Sequence, residues 1–318
     1  MLITNDLPYR KQISNLWFNH NSAGDQWSPL QNKEIIIITK ESGINMSRFI
    51  CPVCGENLSD STKSYICIKN HVFDKAKSGY VNLLQSNHMH TKIPGDNKLM
   101  VNARRDFLSR GYYAPMMEKL CETADRYCDD GAFFIDAGCG EGYYTSNVFE
   151  YLSMKNKTAD MYGIDISKNA VDCAAKRYKK IKFAAASVFR MPFADNSADI
   201  LMTLFAPYCQ EEFIRIIRKN GIMIMVIPAE KHLWSLKKAV YENPYENTVK
   251  SYELEEFSLL EKTEVKNIIH IDNNKDIMNL FSMTPYYYKT GIDGQKRLSE
   301  LETLDTETEF QILAYRKD

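Results

Sequence analysis

Two sets of residues in this 318-residue chain have the types and spacing to do chemistry. The first is Cys51-Pro52-Val53-Cys54, followed after twelve residues by Cys67-Ile68-Lys69-Asn70-His71. Two thiolates on one tight turn can share a tetrahedral ion, and a C-x3-H pair across a short hairpin completes four ligands. That closed set suits structural zinc and leaves no open coordination position for catalysis. Gly55 supplies the turn after the first pair, and the competing reading is four unrelated buried residues. The second set is Asp136-Ala137-Gly138-Cys139-Gly140-Glu141-Gly142, reached from the apolar run Phe133–Ile135 and leading into a helical segment, Tyr144–Met154. Glycines at a strand-to-helix turn allow positive φ and close approach of a ligand, and the helix start presents free N–H groups.

The glycine spacing is G-x-G-x-G and not G-x-G-x-x-G, and no Lys-Ser/Thr follows as in a triphosphate-binding loop. An acidic residue two positions before the first glycine would also repel a pyrophosphate. D-x-G-C-G-x-G is the pattern by which Rossmann-like methyltransferases bind S-adenosylmethionine (AdoMet), whose ammonium and sulfonium replace phosphates. Asp136, Gly138 and Gly140 are therefore expected to bind cofactor; a purely structural turn is the alternative.

The elements that must position these residues alternate regularly. Strands are expected at Met161–Asp165, Ile181–Ala185, Ile200–Phe205 and Ile222–Ile227, with helices at Lys168–Lys179 and Gln210–Arg218. Such alternation implies a parallel, doubly wound sheet that binds ligands beyond its C-terminal strand ends. Asp165 ends the second strand, where a carboxylate can accept both ribose hydroxyls or cap the next helix. Ser187 falls after the third strand, near an adenine amino group, and Phe205-Ala206-Pro207-Tyr208 would floor the reactive methyl. Strands over Phe257–Ile271 and Thr308–Tyr315, with a helix at Lys275–Met283 between them, complete seven strands. The expected fold is thus α/β, a seven-stranded Rossmann-like class I methyltransferase with a small N-terminal zinc-binding domain. Tyr286-Tyr287-Tyr288 would be core or would line a base pocket.

Upstream, Asp96 is expected to cap a helix whose apolar stripe is Leu99, Met100, Ala103 and Phe107. A second helix from Pro115 buries Met116, Met117, Leu120, Cys121 and Ala124. Residues 1–45 read as a poorly ordered extension with one strand-like run, Ile35–Ile38, and Met46 is a candidate translation start. Residues 46–90 form the zinc-binding domain, 91–114 a connecting loop and helix, and 115–318 the methyltransferase domain.

Hydrophobic content of 44%, charged content of 25% and a net charge of −1 are those of an ordinary globular chain and offer no global field for nucleic acid. Charge is uneven, however: between Met46 and Gly111 ten Lys and Arg face five acids. With Phe73, Tyr80, His88 and His90 interleaved, that segment suits phosphate contact plus base stacking on folded RNA, or is simply a solvated basic face. No transmembrane run or secretory signal is expected, and the cysteine usage fits a reducing, cytoplasmic location.

Several motifs in order carry a resemblance. C-P-x-C, C-x3-H-x-F-D, Ala76–Leu84 (A-K-x-G-Y-V-N-L-L), Pro94-Gly95-Asp96, Ala103–Leu108 (A-R-R-x-F-L), D-x-G-C-G-E-G-Y-Y-T and the late Met283-Thr284-Pro285 resemble the RlmA-type 23S rRNA (guanine-N1)-methyltransferases. The resemblance runs from about Met46 to the C-terminus. It implies a zinc domain that helps recognise a 23S rRNA hairpin loop and a domain that moves a methyl from AdoMet to guanine N1. By it, zinc falls to Cys51, Cys54, Cys67 and His71, and cofactor contacts to Tyr113, Gly140, Glu141 and His232. A homodimer is an admissible assembly. The family's Lys-Pro-Gly-Gly turn is Lys219-Asn220-Gly221-Ile222 here. The reaction is an in-line displacement with loss of the N1 proton, for which Asp96 is a candidate acceptor. A small-molecule AdoMet methyltransferase would leave the zinc module unexplained, and a non-catalytic rRNA-binding protein would not bind AdoMet.

Overall fold

The computed structural model describes residues 45–85, 95–249 and 252–318. The expected Ile35–Ile38 strand, the extension up to residue 44 and the loop bearing His88 and His90 lie outside the described residues.

Four short strands, β1 (Asn45–Ile50), β2 (Asn57–Asp60), β3 (Ser64–Cys67) and β4 (Val72–Asp74), form a sheet in sequential order. They carry the cysteine and histidine pairs at their ends. After β5 (Val81–Asn82) come α1 (Lys98–Leu108) and α2 (Ala114–Tyr127), and then the alternating part begins: β6 (Ala132–Ala137), α3 (Tyr143–Met154), β7 (Ala159–Asp165), α4 (Lys168–Arg177), β8 (Lys182–Ala185) and β9 (Ala198–Leu204). It continues with α5 (Gln210–Ile216), β10 (Ile217–Pro228) and α6 (Trp234–Val240). The chain then runs through β11 (Phe257–Ile271), α7 (Asn274–Ser282), α8 (Tyr286–Lys289), α9 (Ile292–Ser299) and β12 (Leu304–Lys317).

The large sheet has the order β11-β12-β10-β9-β6-β7-β8-β5. Strands β6 to β10 pair in parallel, while β12 runs antiparallel to both β10 and β11. This is the expected seven-stranded arrangement, with one addition: β5 extends the sheet by pairing in parallel with β8. A two-residue strand leaves no periodicity to read, which is why it escaped the sequence. All six residues of β6 are buried, as a parallel strand covered on both faces requires.

The core lies in two layers, one on each face of the large sheet. Phe107, Leu120, Phe134, Val148 and Phe310 belong to one. Phe133, Tyr162 and Phe193 belong to the other, together with Phe49, Leu58 and Tyr65 from the small sheet. Phe49 stacks on Phe193 at 5.3 Å and meets Tyr162 edge-on at 4.8 Å, and Ile50 N–H donates to Pro192 O at 2.9 Å. A module this small cannot bury enough surface by itself, so it shares the core of the larger sheet.

The cap of α1 is Asn97, whose side chain accepts from Met100 N–H at 3.1 Å, and not Asp96 as expected. The physical reason is competition: the Asp96 carboxylate pairs with Arg104 one to two turns along the same helix. Among the described residues no helix is long and apolar enough to cross a membrane.

Candidate functional site

The sulfurs of Cys51, Cys54 and Cys67 and a ring nitrogen of His71 lie within 4.8 Å of one another. Cys54 Sγ to Cys67 Sγ is 3.7 Å, and His71 Nδ1 is 3.5 Å from Cys51 Sγ and 3.3 Å from Cys67 Sγ. Zinc–sulfur bonds of about 2.3 Å place the corners of a tetrahedron roughly 3.8 Å apart, so the donors already stand where a tetrahedral ion needs them. The turns that hold them are matched. Gly55 (φ 76°) and Asn70 (φ 61°) take left-handed conformations and donate to Cys51 O and Cys67 O, each at 2.8 Å. His71 N–H also donates to Cys67 Sγ at 3.3 Å. The four residues fit a closed structural zinc site.

The second site sits at the C-terminal ends of β6, β7, β9 and β10. Gly138, Gly140 and Gly142 have φ of 92°, 55° and 83°. Gly138 is required twice over, since a Cβ there would stand 2.4 Å from that of Ala206, on the loop after β9. Asp165 holds the turn from the side: its Oδ2 accepts from Gly140 N–H at 3.0 Å and its Oδ1 from Ser167 N–H at 2.7 Å. A carboxylate offers about four lone-pair positions, so two remain for hydroxyls. The cap of α4 is Ser167, which accepts from Ala170 N–H at 3.3 Å; the two readings of Asp165 thus merge, because it orients the cap and keeps acceptor capacity.

Two carboxyl groups beside this turn are buried with part of their hydrogen-bonding capacity unused. Asp136 accepts from Thr145 Oγ1–H at 2.6 Å through Oδ2, while Oδ1 has no partner; Glu141 Oε2 also has none. An ion-pair contact from Arg177 Nη1 to Glu141 Oε2, at 3.6 Å, exceeds hydrogen-bond length. Burial pushes both carboxyls up to about 7, with Arg177 and the Thr145 hydroxyl opposing it at Glu141 and Asp136 respectively. An unpaired buried carboxylate is costly, and a cationic ligand is what would relieve it. That donor set suits a ligand with an ammonium and a sulfonium, and it disfavours phosphate.

Aromatic rings close the far wall. Phe310 of β12 contacts Tyr113 at 5.0 Å, His232 at 4.5 Å and Phe205 at 5.7 Å, and Phe205 contacts Tyr144 at 6.1 Å. Tyr113 and His232, far apart in sequence, are thus brought together and joined to the helix that follows the glycine turn. His232 is buried and not a surface residue as its local sequence alone suggests. Its Nδ1 accepts from Glu309 N–H at 3.2 Å, which leaves the proton on Nε2, and burial followed by the Lys237 charge pushes its pKa down to about 3. A ring so held is a neutral donor and not a proton acceptor near neutrality. Phe205 and the neighbouring Leu233 carry φ of 54° and 56°, conformations that bulky residues adopt only under constraint. Phe205 nonetheless keeps 47% of its surface exposed, at the mouth of the site.

Other expected residues are placed less centrally. Ser187 follows β8 beside the Asp165 backbone, and its hydroxyl accepts from Phe189 N–H at 3.2 Å within its own turn. The three tyrosines divide: Tyr286 packs against Tyr241, Tyr287 against Phe281, and Tyr288 is 64% exposed. The basic excess at the zinc end is partly offset by two acids from elsewhere in the chain, Asp160 and Asp276. Arg48, Lys69, Lys75, Arg104, Arg105 and Arg110 form ion pairs with Asp160, Glu56, Asp60, Asp96, Asp106 and Asp276. Asp96, the expected proton acceptor, is therefore already bound to a guanidinium. Phe310 and Arg104 were not foreseen as site residues. Phe310 reads as one more inward position of a strand, and only the A-R-R motif marked Arg104.

Comparison with known proteins agrees with this geometry. Residues 49–92 match the family model described as "RlmA, N-terminal", a zinc ribbon, and residues 129–282 match a methyltransferase domain model. The 23S rRNA (guanine(748)-N(1))-methyltransferase of Streptomyces fradiae is 36% identical over 200 residues, spanning 62% of this chain and 69% of its own. The Bacillus subtilis protein named "Putative 23S rRNA (guanine-N(1)-)-methyltransferase YxjB" is 28% identical over 281 residues, 85% of this chain and 97% of its own. Among solved structures, the MccD protein overlays with a TM-score of 0.41 at 20% identity, covering 63% of this chain and 97% of its own.

Proposed function

The chain belongs to the RlmA-type 23S rRNA (guanine-N1)-methyltransferases, AdoMet-dependent enzymes with a zinc ribbon, and from that premise we propose how its residues methylate a guanine in a hairpin loop of 23S rRNA. When bound, AdoMet would supply an electrophilic methyl on a sulfonium; transfer would break the S–C bond, form the N1–C bond, leave S-adenosylhomocysteine and pass the N1 proton to water. The observation that carries the reading is the pair of buried carboxyls with unused oxygens beside three positive-φ glycines.

Asp136 and Glu141 neutralise the positive donor, and Asp165 accepts hydroxyls through its remaining lone pairs. Tyr113 and Phe310 fix the His232 ring so that its Nε2–H donates into the site. Phe205 offers the face on which the acceptor base stacks, since its constrained backbone holds an exposed ring beside Tyr144. A loop nucleotide is suited to this because an unpaired base is displaced at modest cost. The ribbon, sharing a core with the catalytic sheet, presents its surface at a fixed distance from the site. An rRNA acceptor supports a cytoplasmic location for the enzyme.

The test is transfer of labelled methyl from AdoMet to 23S rRNA by the zinc-loaded chain, followed by nucleoside digestion. One 1-methylguanosine per rRNA is expected, and Phe205→Ala should lower the rate with little change in AdoMet affinity. Label in another nucleoside, or none, refutes the reading.

A further inference from the structure

A chain of hydrogen bonds runs unbroken from the glycine turn to the segment that follows α7. Gly140 N–H donates to Asp165, whose other oxygen accepts from Ser167 N–H. The Ser167 hydroxyl donates to Asp96 O at 2.6 Å, and the Asp96 carboxylate pairs with Arg104 Nη1. Arg104 Nη2 then donates to Met283 O at 3.1 Å. The Arg104 guanidinium also lies beside the turn, since a Cβ built on Gly140 would stand 3.7 Å from its Nη1. Alongside it Asn97 Nδ2–H donates to the Tyr288 hydroxyl at 3.2 Å, and that hydroxyl lies 3.0 Å from Met100 Sδ.

Gly95 is built into the same arrangement. Its φ is 75°, and a Cβ on it would fall 2.7 Å from Ile166 Cγ2 and 3.1 Å from Ser167 Cβ. The backbone at 95–96 is therefore pressed against the end of β7, and a side chain at 95 would push it away. Arg104 pairs with Asp96, donates to Met283 O and lies beside the Gly140 turn. It is also suited to the task in a way lysine is not, since a planar guanidinium holds two acceptors at fixed angles.

Resting on the reading of the site as a methyl-transfer centre, we propose that Arg104 is a positioning residue. It sets the separation between the cofactor turn at Gly140 and the Met283–Tyr288 segment, with Asp96 as its anchor. In-line displacement is sensitive to that separation, since a misplacement of about 1 Å costs on the order of 100-fold in rate. Asp96 then serves as the counter-charge of Arg104 and not as the acceptor of the N1 proton.

The test uses the full zinc-loaded chain and its Arg104→Lys, Arg104→Met, Asp96→Asn and Asp96→Asn/Arg104→Met variants. Methyl transfer to 23S rRNA, AdoMet affinity by calorimetry and thermal melting are measured for each. Arg104→Met should lower kcat by about 100-fold per folded molecule, and Arg104→Lys, which keeps the charge and loses the fork, by at least about tenfold. The double variant should be no slower than Arg104→Met, because both changes cut one chain. The proposal is overturned if Arg104→Lys restores full kcat, if the two single effects simply add, or if activity falls only with the folded fraction. Absence of transfer by the unmodified chain would instead refute the acceptor assignment, so the two failures are told apart.

Discussion

The zinc ribbon and the cofactor site solve the same problem, holding a cationic partner, with opposite use of the sequence. In the ribbon all four donors lie between residues 51 and 71 and reach one point through two local turns. At the cofactor site the groups come from Arg104 to Phe310 and meet only after the large sheet has formed. The ribbon donors face one another and have no other work. The carboxyls of the cofactor site are buried with unused oxygens, where desolvation itself stores an affinity for positive charge. Local sites tolerate little distortion because few bonds define them, whereas dispersed sites fail when any one supporting contact is lost.

Removing the metal should have the largest effect. Chelation, or Cys51→Ser, takes away binding free energy that is on the order of 10 kcal/mol for such sites. Because Phe49 stacks on Phe193 and Tyr162, the loss should spread into the catalytic sheet, with a melting temperature lower by roughly 5 °C or more. A ribbon that unfolds while the melt of the remainder stays unchanged would show that the shared core is energetically idle.

Next in size is Gly138→Ala. A side chain at φ 92° and 2.4 Å from Ala206 Cβ must displace the loop after β9, so AdoMet binding measured by calorimetry should weaken at least about 100-fold. Zinc content should not change. Equal loss of both would erase the distinction between the two regions.

A smaller and signed effect concerns pH. The folded pKa of Asp136 is raised from 3.8 to about 7, so the folded chain holds a proton that the unfolded chain has released between those values. Stability without cofactor should therefore fall as pH rises from 4 to 7, and AdoMet affinity should rise over pH 6 to 8 as the carboxylate forms. Asp136→Asn should flatten both curves, stabilise the cofactor-free chain at pH 8 by about 1–3 kcal/mol and weaken AdoMet. Affinity that stays flat with pH in the unmodified chain would contradict the charge-neutralising role. Smallest of all, Ser187→Ala should change AdoMet affinity by less than about 1 kcal/mol, since its hydroxyl is held within its own turn. A larger loss would return Ser187 to the cofactor site.

The same contrast explains what could be read in advance. The clustering of the ribbon's cysteines and histidine, the glycine turn and the place of Asp165 at a strand end were legible because fixed spacing or a strand end defines them. The Rossmann-like sheet was legible because its strands are continuous apolar runs, as in Phe133–Ile135. The cap at Asn97 was misassigned by one residue, because Asp96 and Asn97 are both good caps and the ion pair of Asp96 with Arg104 on the same helix chooses between them. The basic residues at the zinc end read as an RNA surface, but Asp160 and Asp276, remote in sequence, pair with two of them. His232 is ordinary in its local sequence and distinctive only beneath Phe310 and beside the Glu309 N–H. Contacts between elements far apart in sequence leave no spacing to read.

Primer extension along 23S rRNA tests the central claim most directly, because methylation at guanine N1 blocks base pairing and stops the polymerase. In cells lacking this gene one stop at a guanine should disappear, and it should return with the intact chain but not with Gly138→Ala. An identical pattern of stops with and without the gene would contradict the account.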